Sequence, residues 1–175
     1  MSQSLKTFII LLRGVNVGGK NILPMKELKA SLEAHEFDDI KTYIQSGNII
    51  LKCSKDPRTK VAALIQENFG FTPDLMTLTK ADFGVAYNNN PYTKYEGKFV
   101  HFYFCTGTPK LDNDKINKYL ASNEQYELID KVFYLHAPDG IGRSKLVSNI
   151  ENCLGISATG RNLNTINKLL SLLSH

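Results

Sequence analysis

"IKTYIQSGNIILKC", residues 40–53, decides how the chain is put together. Two runs rich in Ile, Thr and Tyr flank Ser46-Gly47-Asn48, residue types that tolerate a positive φ, so the stretch reads as two strands joined in a hairpin. Working upstream, "TFIILL" (7–12) is a continuously apolar run, as expected of a strand buried on both faces. Pro24 then suits the first turn of a helix that carries Met25, Leu28 and Leu32 on one face. Downstream, Asp56-Pro57 opens a second helix with Val61, Leu64, Ile65 and Phe69 as its apolar stripe, and Gly70 ends it. "TPDLMTL" (72–78) is a further strand, and Thr79 with Asp82 starts a short helix leading into the loop "YNNNPYTKYEG" (87–97).

Beyond that loop the same order recurs. A strand "KFVHFYFC" (98–105), a helix around "DKINKYL" (114–120), a strand pair "YELIDKVFYLH" (126–136) and a helix "RSKLVSNIENCLG" (143–155) follow in turn. A last helix carries Leu163, Ile166, Leu169, Leu170 and Leu173. The expected fold class is therefore α+β: two tandem ferredoxin-like (β-α-β-β-α) halves, 1–86 and 98–175, joined by loop 87–97, with an extra C-terminal helix. That scaffold hosts many unrelated functions, so function has to be argued from side chains.

Composition narrows the classes. With 42% apolar and 22% charged residues in 175, the chain resembles an ordinary globular protein. A net charge of +4 permits acidic partners but is weaker than the basic stripe of a dedicated DNA-binding domain. There is no leader-like start and no apolar run approaching the roughly 20 residues of a membrane helix, so a cytoplasmic protein without a membrane partner is expected. Cys53, Cys105 and Cys153 are odd in number and widely spaced, against both disulfides and structural zinc. His35, His101, His136 and His175 are dispersed without an H-E-x-x-H pair, so neither a metal nor a cofactor is expected.

The chemistry-bearing residues gather in three clusters. "RGVNVGGKN" (13–21) places Gly14, four residues, then Gly19, Lys20 and Asn21, one residue type away from the phosphate-cradling P-loop. Asn21 stands where a hydroxyl should hold Mg²⁺, and "NILP" separates Lys20 from the following helix, which argues against a nucleoside triphosphatase. Two readings stay open. Gly14, Gly18 and Gly19 are a tight turn, or the loop is a non-hydrolytic anion nest in which Gly18 and Gly19 offer N–H groups, Arg13 and Lys20 offer charge, and Asn16 and Asn21 offer amides. In "GRSK" (142–145), Arg143, Ser144 and Lys145 follow Gly140 and Gly142 at a helix start, a place that favours an anion. In "TGRN" (159–162), Thr159 or Asn162 can cap the last helix and Arg161 can offer a bidentate fork. Ser46 lacks a G-x-S-x-G elbow; with Asn48 it is counted as a completing ligand group. Phe99, His101 and Tyr103 alternate with Val100, Phe102 and Phe104, either as core or as a base-stacking strand.

"LLRGVNVGGKN", "YIQSGNII" (43–50), "NPY" (90–92), "GRSKL" (142–146) and "TGRNLNT" (159–165) resemble, in order and over nearly the whole chain, the signature blocks of the bacterial domain-of-unknown-function family 1697. Gly160 departs from the threonine more usual there. The resemblance implies two ferredoxin-like halves and no particular reaction. The expected function is binding of a small anionic or phosphate-bearing ligand, a nucleotide among them, at loop 13–21. The alternatives are a module for RNA or single-stranded nucleic acid, and a hydrolase or transferase of unknown substrate.

Overall fold

The structure, a computed structural model, describes residues 4–174. The chain is a mixed α+β protein with two four-stranded antiparallel sheets. It divides into two compact units: one runs to Val85 and takes in the chain from Leu169, and the other is Ala86–Lys168. The boundaries fall inside two helices, on either side of loop 87–97 and its following half. No helix among the described residues is long and apolar enough to cross a membrane.

In the first unit the order is β1 (Lys6–Arg13), α1 (Met25–Glu33), β2 (Asp38–Tyr43), β3 (Asn48–Cys53), α2 (Arg58–Phe69), β4 (Asp74–Thr79) and the start of α3 (Lys80–Asn88). The strands lie in the order β2-β3-β1-β4. β1 is continuously apolar because it pairs on both edges and is covered on both faces; Ile9, Ile10, Leu11 and Leu12 are all 0% exposed. Phe8, Ile10 and Leu12 share a core with Met25, Leu28 and Leu32 of α1 and Val61, Leu64 and Ile65 of α2, the stripes expected from helical spacing. α2 starts beside Asp56, whose Oδ1 accepts from the Arg58 N–H at 3.0 Å and from the Thr77 hydroxyl at 3.0 Å. It ends on Gly70 at φ 82°, the left-handed cap that glycine adopts freely.

The second unit comprises a 3₁₀ turn (Gly97–Phe99), β5 (Val100–Cys105), α4 (Asn113–Tyr119), β6 (Gln125–Ile129), β7 (Val132–His136), α5 (Lys145–Ser148), α6 (Ile150–Leu154), β8 (Ala158–Asn162) and most of α7 (Leu163–Leu173). Its strand order, β6-β7-β5-β8, is that of the first unit. Two elements depart from the sequence-based expectation. The helix expected over 143–155 is broken at Asn149 (φ −119°, ψ 17°) into α5 and α6. There the Asn149 amide donates to the Lys145 carbonyl at 2.8 Å and the Ser148 hydroxyl to the Ser144 carbonyl at 3.1 Å, side-chain bonds that compete with helical ones. The second departure is β8, which contains the "TGRN" expected at the start of the last helix as a cap with a bidentate arginine, and not as a strand. Gly and Asn read as turn residues in isolation, yet here they pair along β5, His101 with Asn162 and Tyr103 with Gly160.

Gly160 is explained by its neighbour. A Cβ there would stand 2.6 Å from Cε1 of the Tyr103 ring, which occupies the space a side chain would need. All six residues of β5 are buried. Tyr103 and Cys105 face α4, α5 and α6, while Phe102 meets Tyr134 edge-on at 4.8 Å on the other face. Those rings are core, so β5 presents no open aromatic face for bases.

His101 and His136 are buried with one ring nitrogen each, Nε2 and Nδ1, unbonded. Burial depresses both imidazoles below their ordinary value, opposed at His101 by its bond to the Lys98 carbonyl. Near neutral pH native and unfolded histidines are both neutral. Below about 6.5 the unfolded imidazole takes a proton that the native one refuses, so stability drains away as pH falls.

Two outcomes follow. Gly160→Thr costs about 1–3 kcal/mol by overpacking against Tyr103. In a Tyr103→Val background that cost shrinks; an equal cost in both backgrounds, measured by urea denaturation, would show that the ring is not the obstacle. Second, stability measured between neutral and mildly acidic pH declines by at most about 1.4 kcal/mol per pH unit for each histidine. His101→Phe flattens the decline, and a profile identical to wild type would contradict the assignment.

Candidate functional site

At the end of β1 the chain turns at Gly14 (φ 70°) and makes a miniature hairpin before α1 begins. The Lys20 N–H donates to the Val17 carbonyl at 3.0 Å across Gly18 (φ 60°) and Gly19 (φ 73°). Positive φ at both central residues is the type I′ turn, which selects glycine for conformation. Space is not the reason, since nothing lies within 4 Å of a Cβ built at either residue. Asn16 and Asn21 hold the hairpin. The Asn16 N–H donates to the Asn21 carbonyl at 3.1 Å, and Asn21 Nδ2 donates to the Gly14 carbonyl at 3.2 Å. Asn16 Oδ1 accepts from the Leu23 N–H at 2.7 Å, while its Nδ2 donates to the carbonyls of Leu23 at 2.9 Å and Gln45 at 2.8 Å.

The Gln45 bond joins this loop to the β2–β3 turn. Gly47 is required there on two counts: its φ is 89°, and a Cβ would stand 2.7 Å from Cβ of Leu12. Its carbonyl accepts from the Leu12 N–H at 2.8 Å. Asn48 is 0% exposed and donates to the Tyr43 carbonyl at 3.0 Å and to Ser46 Oγ at 3.2 Å, so it shapes the turn from within. Ser46, Gly18, Gly19 and Lys20 are exposed, and Arg13 is half-buried opposite Asp74 in the β1–β4 register. The structure thus brings Arg13, Gly14, Asn16, Gly18, Gly19, Lys20 and Asn21 together with Ser46 and Asn48 at one end of the first unit's sheet. Among the described residues nothing accepts from the Gly18 or Gly19 N–H.

Sequence reasoning missed the apolar rim of this site. Val17, Ile22 and Ile44 are exposed, and Ile44 holds a φ of 50°. A β-branched residue in the left-handed region is strained, and such strain collects at functional sites. An apolar residue inside a turn was the available signal for Ile44; Gln45 carried none.

In the second unit the other clusters have structural duties. The Ser144 hydroxyl caps α5 by accepting from the Val147 N–H at 3.2 Å and donates to Glu124 Oε2 at 2.7 Å. Glu124 is itself buried and accepts from the Ala121 N–H at 2.8 Å. A carboxylate therefore already stands at this helix start. Beside it lies a cavity of about 620 Å³ lined also by Asp139 and Arg143. Arg143 and Lys145 are exposed. Arg161 donates to the Gly160 carbonyl at 2.8 Å, and burial pushes its guanidinium down to about 10, still charged at neutral pH. Asn162 Oδ1 accepts from the Thr165 N–H at 2.9 Å and is the residue that caps α7; Thr159 lies within β8.

The three cysteines are free and buried, and burial raises each thiol, Cys105 to about 11, which disfavours thiolate chemistry. His35 lies 2.8 Å from the Ser31 carbonyl, and His175 is outside the described residues.

The solved structure of a conserved bacterial protein from Streptococcus pneumoniae is similar over 97% of this chain and 99% of that one, with a TM-score of 0.68 and 22% identity. At that identity the likeness is one of fold. No curated protein matches the chain. The family model described as "Protein of unknown function (DUF1697)" matches residues 5–134. Both glycine-bearing stretches that build the site of the first unit lie within that match, and the chain belongs to the DUF1697 family.

Proposed function

We propose that the chain binds a small anionic ligand, a phosphate-bearing one foremost, at loop 13–21 and the adjoining 43–48 turn. One observation carries this reading: the N–H groups of Gly18 and Gly19 are unbonded at the tip of a hairpin that Asn16 and Asn21 hold open, next to the exposed Lys20. Exposed amides in a turn and a mobile ammonium together favour an anion. Arg13 supplies a second charge and Ser46 a hydroxyl. The exposed Val17, Ile22 and Ile44 suit a ligand with an apolar part, so a nucleotide fits better than inorganic phosphate. The loop closes on itself before α1 begins, so its lysine and the helix N-terminus do not share one phosphate as in a P-loop. That favours binding over hydrolysis.

We infer further that each half is ferredoxin-like. The β-α-β-β-α-β order with antiparallel strand order 2-3-1-4 in both units supports this. A reducing, cytoplasmic setting is supported by three free cysteines.

A thermal-shift screen of nucleotides, phosphorylated metabolites and inorganic phosphate is expected to find a stabiliser, worth about 2.7 kcal/mol at a hundred times its dissociation constant. Lys20→Ala weakens that ligand by about 1.5–3 kcal/mol, the usual worth of a hydrogen bond to a charged group. A blank screen, or affinity indifferent to Lys20→Ala, would leave the loop a structural turn. Asn16→Ala removes the tie between the two loops and lowers stability by about 1–3 kcal/mol on denaturation. It also weakens the same ligand, whereas an unaltered affinity would place the ligand elsewhere.

A further inference from the structure

A second site lies in the second unit, around the Asn90-Pro91-Tyr92 turn that the ligand reading above leaves unused. A cleft of about 350 Å³ is lined by Tyr87 and Asn88 at the end of α3, by Asn90, Thr93 and Tyr95 in the loop, and by Asn167 on α7. No charged side chain lines it. Its chemistry is therefore that of two phenol rings, three carboxamides and a hydroxyl, which suits a neutral ligand with a polar edge.

Two observations point to a ligand of definite shape. The first is Asn90, 7% exposed. Its Oδ1 accepts from the Tyr92 N–H at 2.9 Å, which fixes the amide's orientation and leaves Nδ2 without a partner among the described residues. The sealed, unbonded side-chain polar atoms among those residues are His101 Nε2 and His136 Nδ1, so Asn90 Nδ2 keeps some exposure, and Asn90 lines the cleft. A donor already oriented at a cleft wall loses little freedom when an acceptor arrives. The second is Tyr95. Its ring stacks on His136 at 3.7 Å between centroids and 15° between planes, yet it is 41% exposed. One face is occupied, and the ring still lines the cleft, where another planar ring extends the stack.

We propose that this cleft binds a neutral planar nitrogen heterocycle of the nucleobase class, stacked on Tyr95, with its acceptor edge toward Asn90 Nδ2 and the amides of Asn88 and Asn167. Carboxamides match the mixed donor and acceptor edges of such rings, and stacking on an aromatic ring accepts any base. The proposal is independent of loop 13–21. The same chemistry comes either from a free nucleoside or from a base within a single strand.

Binding is read by equilibrium dialysis, because millimolar nucleosides absorb where tyrosine is excited and Tyr95→Leu would itself change a tyrosine signal. The full chain is titrated at millimolar concentration with adenosine, guanosine, cytidine and uridine, with a short oligodeoxyadenylate, and with glucose. Nucleosides carry no phosphate for loop 13–21 to hold by charge, and dependence on Tyr95 and Asn167 separates this cleft from that loop. At least one nucleoside or the oligomer is expected to bind, weakened at least about fivefold by Tyr95→Leu. Binding persists in Tyr95→Phe and drops in Asn167→Ala at an exposed helical position. Binding of the oligomer alone, with the same dependence on Tyr95, identifies the source as a single strand. Glucose binding without nucleoside binding, no binding at all, or affinity unaffected by both Tyr95→Leu and Asn167→Ala would overturn the proposal.

Discussion

The first unit depends on β1 being hydrogen-bonded along both edges and buried on both faces at once. Such a strand has no freedom left: its apolar residues fix the register of β3 and β4, and Leu12 fixes what can lie over its end. Gly47 sits so close to Leu12 that a methyl group would not fit. The β2–β3 turn is therefore clamped to the end of β1, and the chain leaving Arg13 has to bend away at Gly14. The glycine-rich hairpin and its neighbouring turn are consequences of that clamp.

Asn16 carries this packing across to a second loop. Its side chain spans the Leu23 backbone and the Gln45 carbonyl, so two loops distant in sequence become one surface. The bonds that hold the hairpin engage the amides of Asn16, Lys20 and Asn21 and leave those of the two tip glycines. A loop held by side chains in this way can be rigid and still present main-chain donors, the combination that anion recognition requires. The left-handed Ile44 fits the same picture, since its strain is sustained by the clamp around it.

Much of the fold was legible because its signals are local. The apolar run of β1, the 3.6-residue stripe of α1 and α2, the hairpin around Gly47 and the cap at Gly70 each state their conformation within a few residues. What escaped was decided by partners far along the chain. "TGRN" does cap α7 through Asn162, but its pairing along β5 shows only once Tyr103 is placed opposite Gly160, and helix 143–155 looks continuous until Asn149 turns back on Lys145. The site divides the same way. Spacing marks the exposed turn of Gly18, Gly19 and Lys20, whereas the burial of Asn48 within its turn and the cap that Ser144 makes beside Glu124 rest on contacts that no motif announces.

The two units share one strand order but treat the exit from their central strand differently. After β5 the chain is tied down through its backbone: Thr106 donates to the Ser157 carbonyl at 3.0 Å, Lys110 to Leu154 at 2.8 Å and Asp112 to Cys153 at 2.9 Å. Main-chain donors spent on main-chain acceptors are unavailable to a ligand, so that exit is structural. After β1 the corresponding task falls to the carboxamides of Asn16 and Asn21, and the tip amides stay unspent. One unit thus closes the connection after its central strand by backbone pairing, while the other braces it with two asparagine side chains and leaves the tip amides unbonded. In such a fold function follows from which hydrogen-bonding groups the loops leave over, and the strand order alone is silent about it.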